Sequence, residues 1–284
     1  MQQDLFAPPP PPPRRTQLGH SSIHYKNAAS ILSPATGFMD SYDFTLNPYS
    51  GCSFGCTYCY AAFFARDNAL REQWGDWVNV KENALVLLKA LRKKPLLDKS
   101  IYMSSVTDPY QPIEKELQLT RSLLQELADY HQVRLVVQTR SPLVTRDIDL
   151  FQRFATVQVN MTITTDSERV RKVFEPLCPG NKVRLQAIQQ VHEAGIPACI
   201  TMTPLLPVED AHAFAQALLA TGITRYIIQP FHADRGKFTA GTREEAVRLT
   251  QELGWTPERY AEVASIIKNY MPAIGEGKQG FAAI

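Results

Sequence analysis

The chain has 284 residues, 44% of them hydrophobic and 20% charged, and a formal net charge of +2. That length buries a large core without disulfide staples, and the near-neutral balance neither demands nor excludes a phosphate-bearing partner. No apolar run approaches the roughly 18 residues needed to cross a bilayer, and the start lacks the charged-then-apolar pattern of a secretory signal. The expected location is therefore cytoplasmic, with no membrane partner. Five cysteines, an odd number with three of them inside eight residues, argue for metal or redox chemistry rather than a secreted disulfide framework.

In chain order, residues 1–40 read as a mostly disordered, proline-rich arm. The unbroken run at 8–13 favours an extended polyproline II conformation. Packing on the domain begins within 24–42, and residues 41–284 form the domain itself. From Phe44 onward short apolar strands alternate with amphipathic helical patterns. Strands are predicted at 44–46, 101–103, 134–138, 157–163, 198–203 and 225–229. Helices are predicted at 61–71, 82–91, 119–130, 147–154, 183–193 and 211–220, with 242–253 and 257–270 as two further C-terminal helices. Gly195 and Gly222 follow two of these patterns as helix-ending glycines. This alternation calls for parallel βαβ units, and six of them make an α/β fold: a partial (β/α)6 barrel with outer helices.

The fourth strand carries Gln158, Asn160, Thr162 and Thr164 on one face and Val157, Val159, Met161 and Ile163 on the other. With helices outside, the polar face turns inward. The lumen is then open to a ligand, where a packed barrel would hold branched apolar residues.

The segment from Asn47 to Tyr60 reads NPYSGCSFGCTYCY and spaces Cys52, Cys56 and Cys59 as C-x3-C-x2-C. A [4Fe–4S] cube takes one ligand per iron, so three close thiolates leave one iron open. The amino and carboxylate groups of S-adenosylmethionine (SAM) suit that iron. An electron from the cluster then breaks the sulfonium carbon–sulfur bond to give methionine and a 5′-deoxyadenosyl radical, chemistry that a cofactor must carry. Gly51 and Gly55 let the backbone wrap a compact cluster. The loop follows the first strand, at the end of a barrel where active sites sit. Two other uses of the thiols stay open. Structural zinc needs a fourth ligand, with His24 and Cys178 as candidates. A redox pair of Cys56 and Cys59 leaves Cys52 idle. Cys178 falls in a loop, and Cys199, in a strand, reads as a small buried hydrophobe.

C-x3-C-x2-C after a first strand resembles the signature of the radical SAM superfamily, and more narrowly its spore photoproduct lyase-like branch. The resemblance covers residues 45–231. It rests on Asn47-Pro48-Tyr49, on Tyr58 and Tyr60 beside Cys59, on the segment from Ser105 to Pro109, on Thr139-Arg140-Ser141 with Arg146-Asp147, on Glu175-Pro176 and on Arg184. It implies that Ser105, Thr107 and Asp108 meet the SAM amino group and that Arg140 meets its carboxylate. Arg184 matches a further basic position. It also implies an electron donor such as a flavodoxin or ferredoxin, and it makes nucleic acid a candidate substrate. Local chemistry agrees in part. Hydroxyls and a carboxylate accept from an ammonium, and a guanidinium suits a carboxylate, whereas Asp108-Pro109 is also an ordinary turn dipeptide. Thr162 and Thr164 are placed to bond the SAM carboxylate or ribose. Tyr58 and Tyr60 are candidates to stack on adenine or relay hydrogen, and Gln229 and His232 to face the substrate. A peptide or small metabolite as substrate, and a zinc-stabilised binding module without catalysis, are the alternatives. In spore photoproduct lyases a cysteine shortly after the second strand returns hydrogen to thymine. Here Ser105 stands at that position, and its O–H bond is a poor hydrogen-atom donor. The expected native substrate therefore differs.

Overall fold

The computed structural model describes residues 14–232 and 239–284, and the proline run at 8–13 lies outside them. In chain order the strands among the described residues are β1 (Gln17–Leu18), β2 (Ser21–Lys26), β3 (Leu32–Pro34), β4 (Phe44–Leu46), β5 (Tyr49–Gly51), β6 (Trp77–Lys81), β7 (Leu97–Met103), β8 (Gln132–Thr139), β9 (Thr156–Thr162), β10 (Ala198–Leu205), β11 (Arg225–Pro230) and β12 (Gly275–Glu276). The larger sheet has the order β12-β11-β10-β9-β8-β7-β4-β3. Its neighbours are parallel from β4 through β7 to β12, and only β3 pairs antiparallel, at the edge on β4. The six strands expected from the sequence are β4 and β7 to β11, in consecutive order around the sheet, as a partial (β/α)6 barrel requires.

Period-two patterning sorts the faces. Val157, Val159 and Met161 of β9 join Ala187, Ile188 and Val191 of the helix Asn181–Glu193 in the main hydrophobic core. Gln158, Asn160 and Thr162 turn the other way, into the lumen. There Gln138 Nε2 donates to Thr162 Oγ1 at 2.7 Å and to Thr201 Oγ1 at 3.1 Å, and Gln158 Nε2 donates to Asn160 Oδ1 at 2.7 Å. The amides of Gln138, Gln158 and Asn160 thus each have a partner, which removes most of the cost of burying them. The helices Leu119–Tyr130 and Pro257–Tyr270 fall at the residues their patterns predict. No helix among the described residues is long and apolar enough to cross a membrane.

Three expectations need correction. Residues 14–40 are not a disordered arm. β2 pairs in parallel with β6 in a second sheet of order β1-β2-β6-β5, and Ile23 is buried with Tyr49, Val78, Val80 and Ile113. Alternation in Ser21–Lys26 is short, and only its partner β6 gives it a surface to bury. The helix predicted at 61–71 breaks into a 3-10 turn, Tyr60–Phe64, and a short helix, Asn68–Glu72. Asp67 causes the break: its side chain accepts from Leu70 N at 2.9 Å and caps a new start. Finally, the cysteine segment does not leave β4 directly. It leaves β5, a strand of the second sheet, which aims it back across the barrel's end.

Candidate active site

β5 runs antiparallel to β6, with Gly51 opposite Val78, and the next residue is Cys52. Gly51 has φ +74, and a Cβ there would lie 2.4 Å from Trp77 O, so only glycine fits where strand becomes loop. The loop is then clamped from several sides. Ser53 N donates to Gln111 Oε1 at 3.0 Å. Thr57 N donates to Phe174 O at 2.9 Å, and Thr57 Oγ1 to Val173 O at 3.1 Å. Arg243 N donates to Thr57 O at 2.9 Å, and Gly241 approaches so closely that a Cβ would stand 2.3 Å from Cys59 O. The result is that Cys52, Cys56 and Cys59, all free thiols, line one cavity. Among the described residues no three His, Cys, Asp or Glu side chains converge tightly enough to hold a metal ion. A cube puts each thiolate on a different iron, so it asks for wider spacing than one shared ion does.

The opposite walls come from the C-terminal ends of the barrel strands. Ser104, Ser105, Thr107 and Asp108 follow β7, Arg140 follows β8, Thr162 ends β9, and Gln229, Phe231 and His232 come from the end of β11 and the residues after it. Asp108 ties two of these ends together. It accepts at 2.8 Å from each of Tyr110 N, Thr139 Oγ1 and Arg140 N. Burial pushes its carboxyl above the usual range, against the pull of those hydrogen bonds. Its acceptor capacity is largely spent within the protein, so Asp108 shapes the strand ends. Thr107 Oγ1 likewise donates to Gly51 O at 2.7 Å, bracing the cysteine loop. The Tyr60 hydroxyl donates to the Ser105 carbonyl.

Beside Cys56 stands a buried charged network centred on Glu175. Tyr58 Oη donates to Glu175 Oε1 at 2.6 Å and accepts from Arg140 Nη2 at 2.9 Å. Thr164 Oγ1 donates to Glu175 Oε1 at 3.1 Å, and Arg184 Nη2 donates to Glu175 Oε2 at 2.5 Å. Burial alone would raise the Glu175 carboxyl, but Arg184 and then Arg140 outweigh it and hold it down at about 2. Burial pushes the Tyr58 hydroxyl well above its ordinary value, so it stays a donor. Of the sequence-predicted residues, Tyr58, Tyr60, Ser105, Thr107, Asp108, Arg140, Thr162, Gln229 and His232 reach the cavity with the cysteines, and Thr164 and Arg184 do not. Arg184 is fully buried, with Nη1 on Thr162 O at 3.1 Å, and acts as the counter-charge of Glu175. His24 is exposed on β2, away from the cavity, whereas Cys178 lies against Cys56.

Among the described residues, four that line the cavity keep a buried polar atom without a hydrogen-bond partner: Trp74 Nε1, Ser104 Oγ, Arg140 Nε and Gln229 Nε2. Arg140 Nε stands 3.5 Å from Glu175 without forming a hydrogen bond. Such atoms are costly unless a ligand meets them. Sequence reasoning placed Ser104 only as the start of the stretch to Asp108 expected at the SAM amino group, and it assigned no role to Glu175, Gln111 or Asn47, whose Oδ1 accepts from Val106 N at 3.1 Å. Glu175-Pro176 in an otherwise apolar stretch was the available signal for Glu175. Phe38, Met39 and Phe281, which close the cavity from the two chain ends, carry no local signal.

The family model of the radical SAM superfamily matches residues 46–220, and the chain belongs to that superfamily. A protein of Methanocaldococcus jannaschii described as uncharacterised is 38% identical over 164 residues, which cover 58% of this chain and 61% of that one. This chain thus spans less than two thirds of that relative. An uncharacterised protein of Mycobacterium tuberculosis is 28% identical over 253 residues, covering 80% and 74% of the two chains. Among solved structures, a spore photoproduct lyase variant with bound AdoMet and dinucleoside spore photoproduct superposes with a TM-score of 0.60 at 14% identity. The match covers 89% of this chain and 81% of that one. Spore photoproduct lyase complexed with dinucleoside spore photoproduct gives 0.58 at 13%, with the same coverage. At that identity the likeness is one of fold. The donor set here, three loop thiols facing a guanidinium across one cavity, fits a [4Fe–4S] cluster and SAM.

Proposed function

We propose that this chain is a radical SAM enzyme that holds one [4Fe–4S] cluster on Cys52, Cys56 and Cys59. The observation that carries the proposal is the meeting of those three thiols and Arg140 in one cavity at the C-terminal ends of the parallel strands. When bound, the cluster and SAM supply reductive cleavage of the sulfonium and hydrogen abstraction from a substrate. The protein's part is to bind and orient. Arg140, with Nε unmet and its plane held by Tyr58, offers a fixed cation to the SAM carboxylate. Ser104 Oγ, buried and unpartnered, is better placed than Asp108 to accept from the SAM amino group, with Ser105 and Thr107 alongside. Thr162 and Gln229 face the space beyond, where a substrate sits. Tyr60, whose hydroxyl is bonded, among the described residues, only to the neutral Ser105 carbonyl, is the candidate for hydrogen transfer; the Tyr58 hydroxyl is held between the Glu175 carboxylate and the Arg140 guanidinium.

Nucleic acid is the leading substrate class, by likeness of fold to a lyase whose solved complex holds a dinucleoside; a peptide or small metabolite is the alternative. Ser105 lines the cavity, and neither Cys178 nor Cys199 does. A repair reaction that needs a thiol hydrogen donor beyond the cluster ligands is therefore not the native one. An electron donor of the flavodoxin or ferredoxin kind completes the reaction. The test is metal analysis after anaerobic purification. Brown protein with about four irons per chain is expected on the cubane assignment, and Cys52→Ala, Cys56→Ala and Cys59→Ala each lose it. A full iron complement in Cys59→Ala, or colourless wild-type protein carrying one zinc, refutes the proposal.

A further inference from the structure

Cys178 lies outside the C-x3-C-x2-C segment, 122 residues beyond Cys56, yet its Sγ stands 3.6 Å from Cys56 Sγ. Both thiols are buried and neither is in a disulfide. The approach is set by backbone on both sides. Cys178 N donates to Glu175 O at 3.1 Å, and Arg171 Nη1 donates to Cys178 O at 3.0 Å and to Glu175 O at 3.3 Å. On the other side Thr57, the neighbour of Cys56, is bonded to Phe174 O and Val173 O. The helix Glu168–Phe174 and the turn after it thus carry Cys178 to one sulfur of the cysteine loop and hold it there. Cys178 does not line the cavity, whereas Cys52, Cys56 and Cys59 do, so it stands behind Cys56 and out of a ligand's way.

We propose that Cys178 is a positioning residue that donates an S–H hydrogen bond to the iron-bound sulfur of Cys56 and raises the cluster's reduction potential. This rests on the cluster assignment made above. A cysteine binds iron as its thiolate, which has no proton left to give. Of the two sulfurs only Cys178 then keeps one, and the direction of the bond is fixed. A donor aimed at a ligand sulfur stabilises the reduced, more negative cluster over the oxidised one, and hydrogen bonds to the sulfurs are a recognised control on potential. Cys178 therefore makes the cluster easier to load with an electron without occupying the iron that SAM needs.

The experiment is a reductive titration followed by electron paramagnetic resonance, on anaerobically reconstituted full-length wild type, Cys178→Ala and Cys178→Ser. Alanine and serine have nearly the same volume, so their difference isolates the donor from packing. Equal iron in all three is expected, with the Cys178→Ala midpoint shifted to more negative potential and Cys178→Ser close to wild type. An unchanged midpoint in Cys178→Ala overturns the proposal. So does an equal shift in both variants, which reports packing or solvent. Iron loss from folded Cys178→Ala also overturns it, since Cys178 would then be needed to hold the cluster. If Cys178→Ala unfolds, Cys178→Val, which lacks a donor and fills the space, takes its place under the same criteria. Wild type without a four-iron cluster is a separate failure, seen in the iron count, and overturns the cluster assignment together with this inference.

Discussion

At the mouth of the lumen, the wall beside Cys56 is charged: Arg140 after β8 and Arg184 from a covering helix meet on Glu175, with Tyr58 and Thr164 filling its remaining bonds. Two residues deeper on the same faces of β8 and β9, the wall is neutral: Gln138, Thr162 and Thr201 bond one another, and Tyr102 Oη donates to Gln138 Oε1 at 3.0 Å. The first arrangement orients a cation and a phenol with little freedom, but each member depends on the others for charge balance. The second satisfies its groups redundantly, and losing one member leaves its neighbours bonded. Fixed charge is concentrated at the Arg140 end of the lumen, where the proposed function puts the SAM carboxylate, and the deeper side chains are neutral.

The largest break in this contrast comes at Glu175. Glu175→Gln leaves the fully buried Arg184 without a counter-charge, and removing one partner of a buried pair costs about 3–5 kcal/mol. The denaturant midpoint of the iron-free protein measures it. The pH dependence has a definite sign. The Glu175 carboxyl is held at about 2, below its ordinary 4.5, so its contribution is complete above 4.5 and is lost as pH falls through about 2. The stability gap between wild type and Glu175→Gln should narrow over that window; a gap that does not change removes Glu175 from the account.

A smaller loss is expected at Arg140, where binding rather than folding is the readout. Arg140→Ala should retain iron and weaken SAM binding by about 1.5–3 kcal/mol, the worth of a charge-assisted hydrogen bond. Unchanged affinity in a calorimetric titration takes Arg140 out of the cofactor site. The smallest change is on the neutral side. Thr201→Val removes one hydroxyl, but Gln138 Nε2 keeps Thr162 Oγ1 at 2.7 Å, so about 1 kcal/mol is expected. A loss as large as that at Glu175 would erase the distinction between the two walls.

Much of the barrel was legible because its signals are local. Apolar and polar residues alternate along β9 with period two, and Pro257 to Tyr270 carries its own cap, Thr256, which accepts from Arg259 N at 3.2 Å. The three cysteines were legible as a group because they lie within eight residues of one loop, which the structure brings to a single cavity. Misses came where a neighbour supplied the reason for the structure. Ser21–Lys26 is a strand because Trp77–Lys81 lies beside it. Arg184 matched a basic position, but no pattern could say that Glu175 would neutralise it in the interior rather than a ligand in the cavity.

The sequence by itself determined the class of fold, the polar lumen and the C-x3-C-x2-C thiols, because periodicity and short spacings are properties of the chain. Tertiary structure alone decided which polar groups were spent on one another and which were left for a ligand. Asp108 was consumed by three donors and Arg184 by Glu175, whereas Arg140 Nε, Ser104 Oγ and Gln229 Nε2 were left unmet. It also brought Cys178 to Cys56. The reason is that hydrogen bonds and ion pairs act over a few ångströms, and only the folded chain sets which residues come that close.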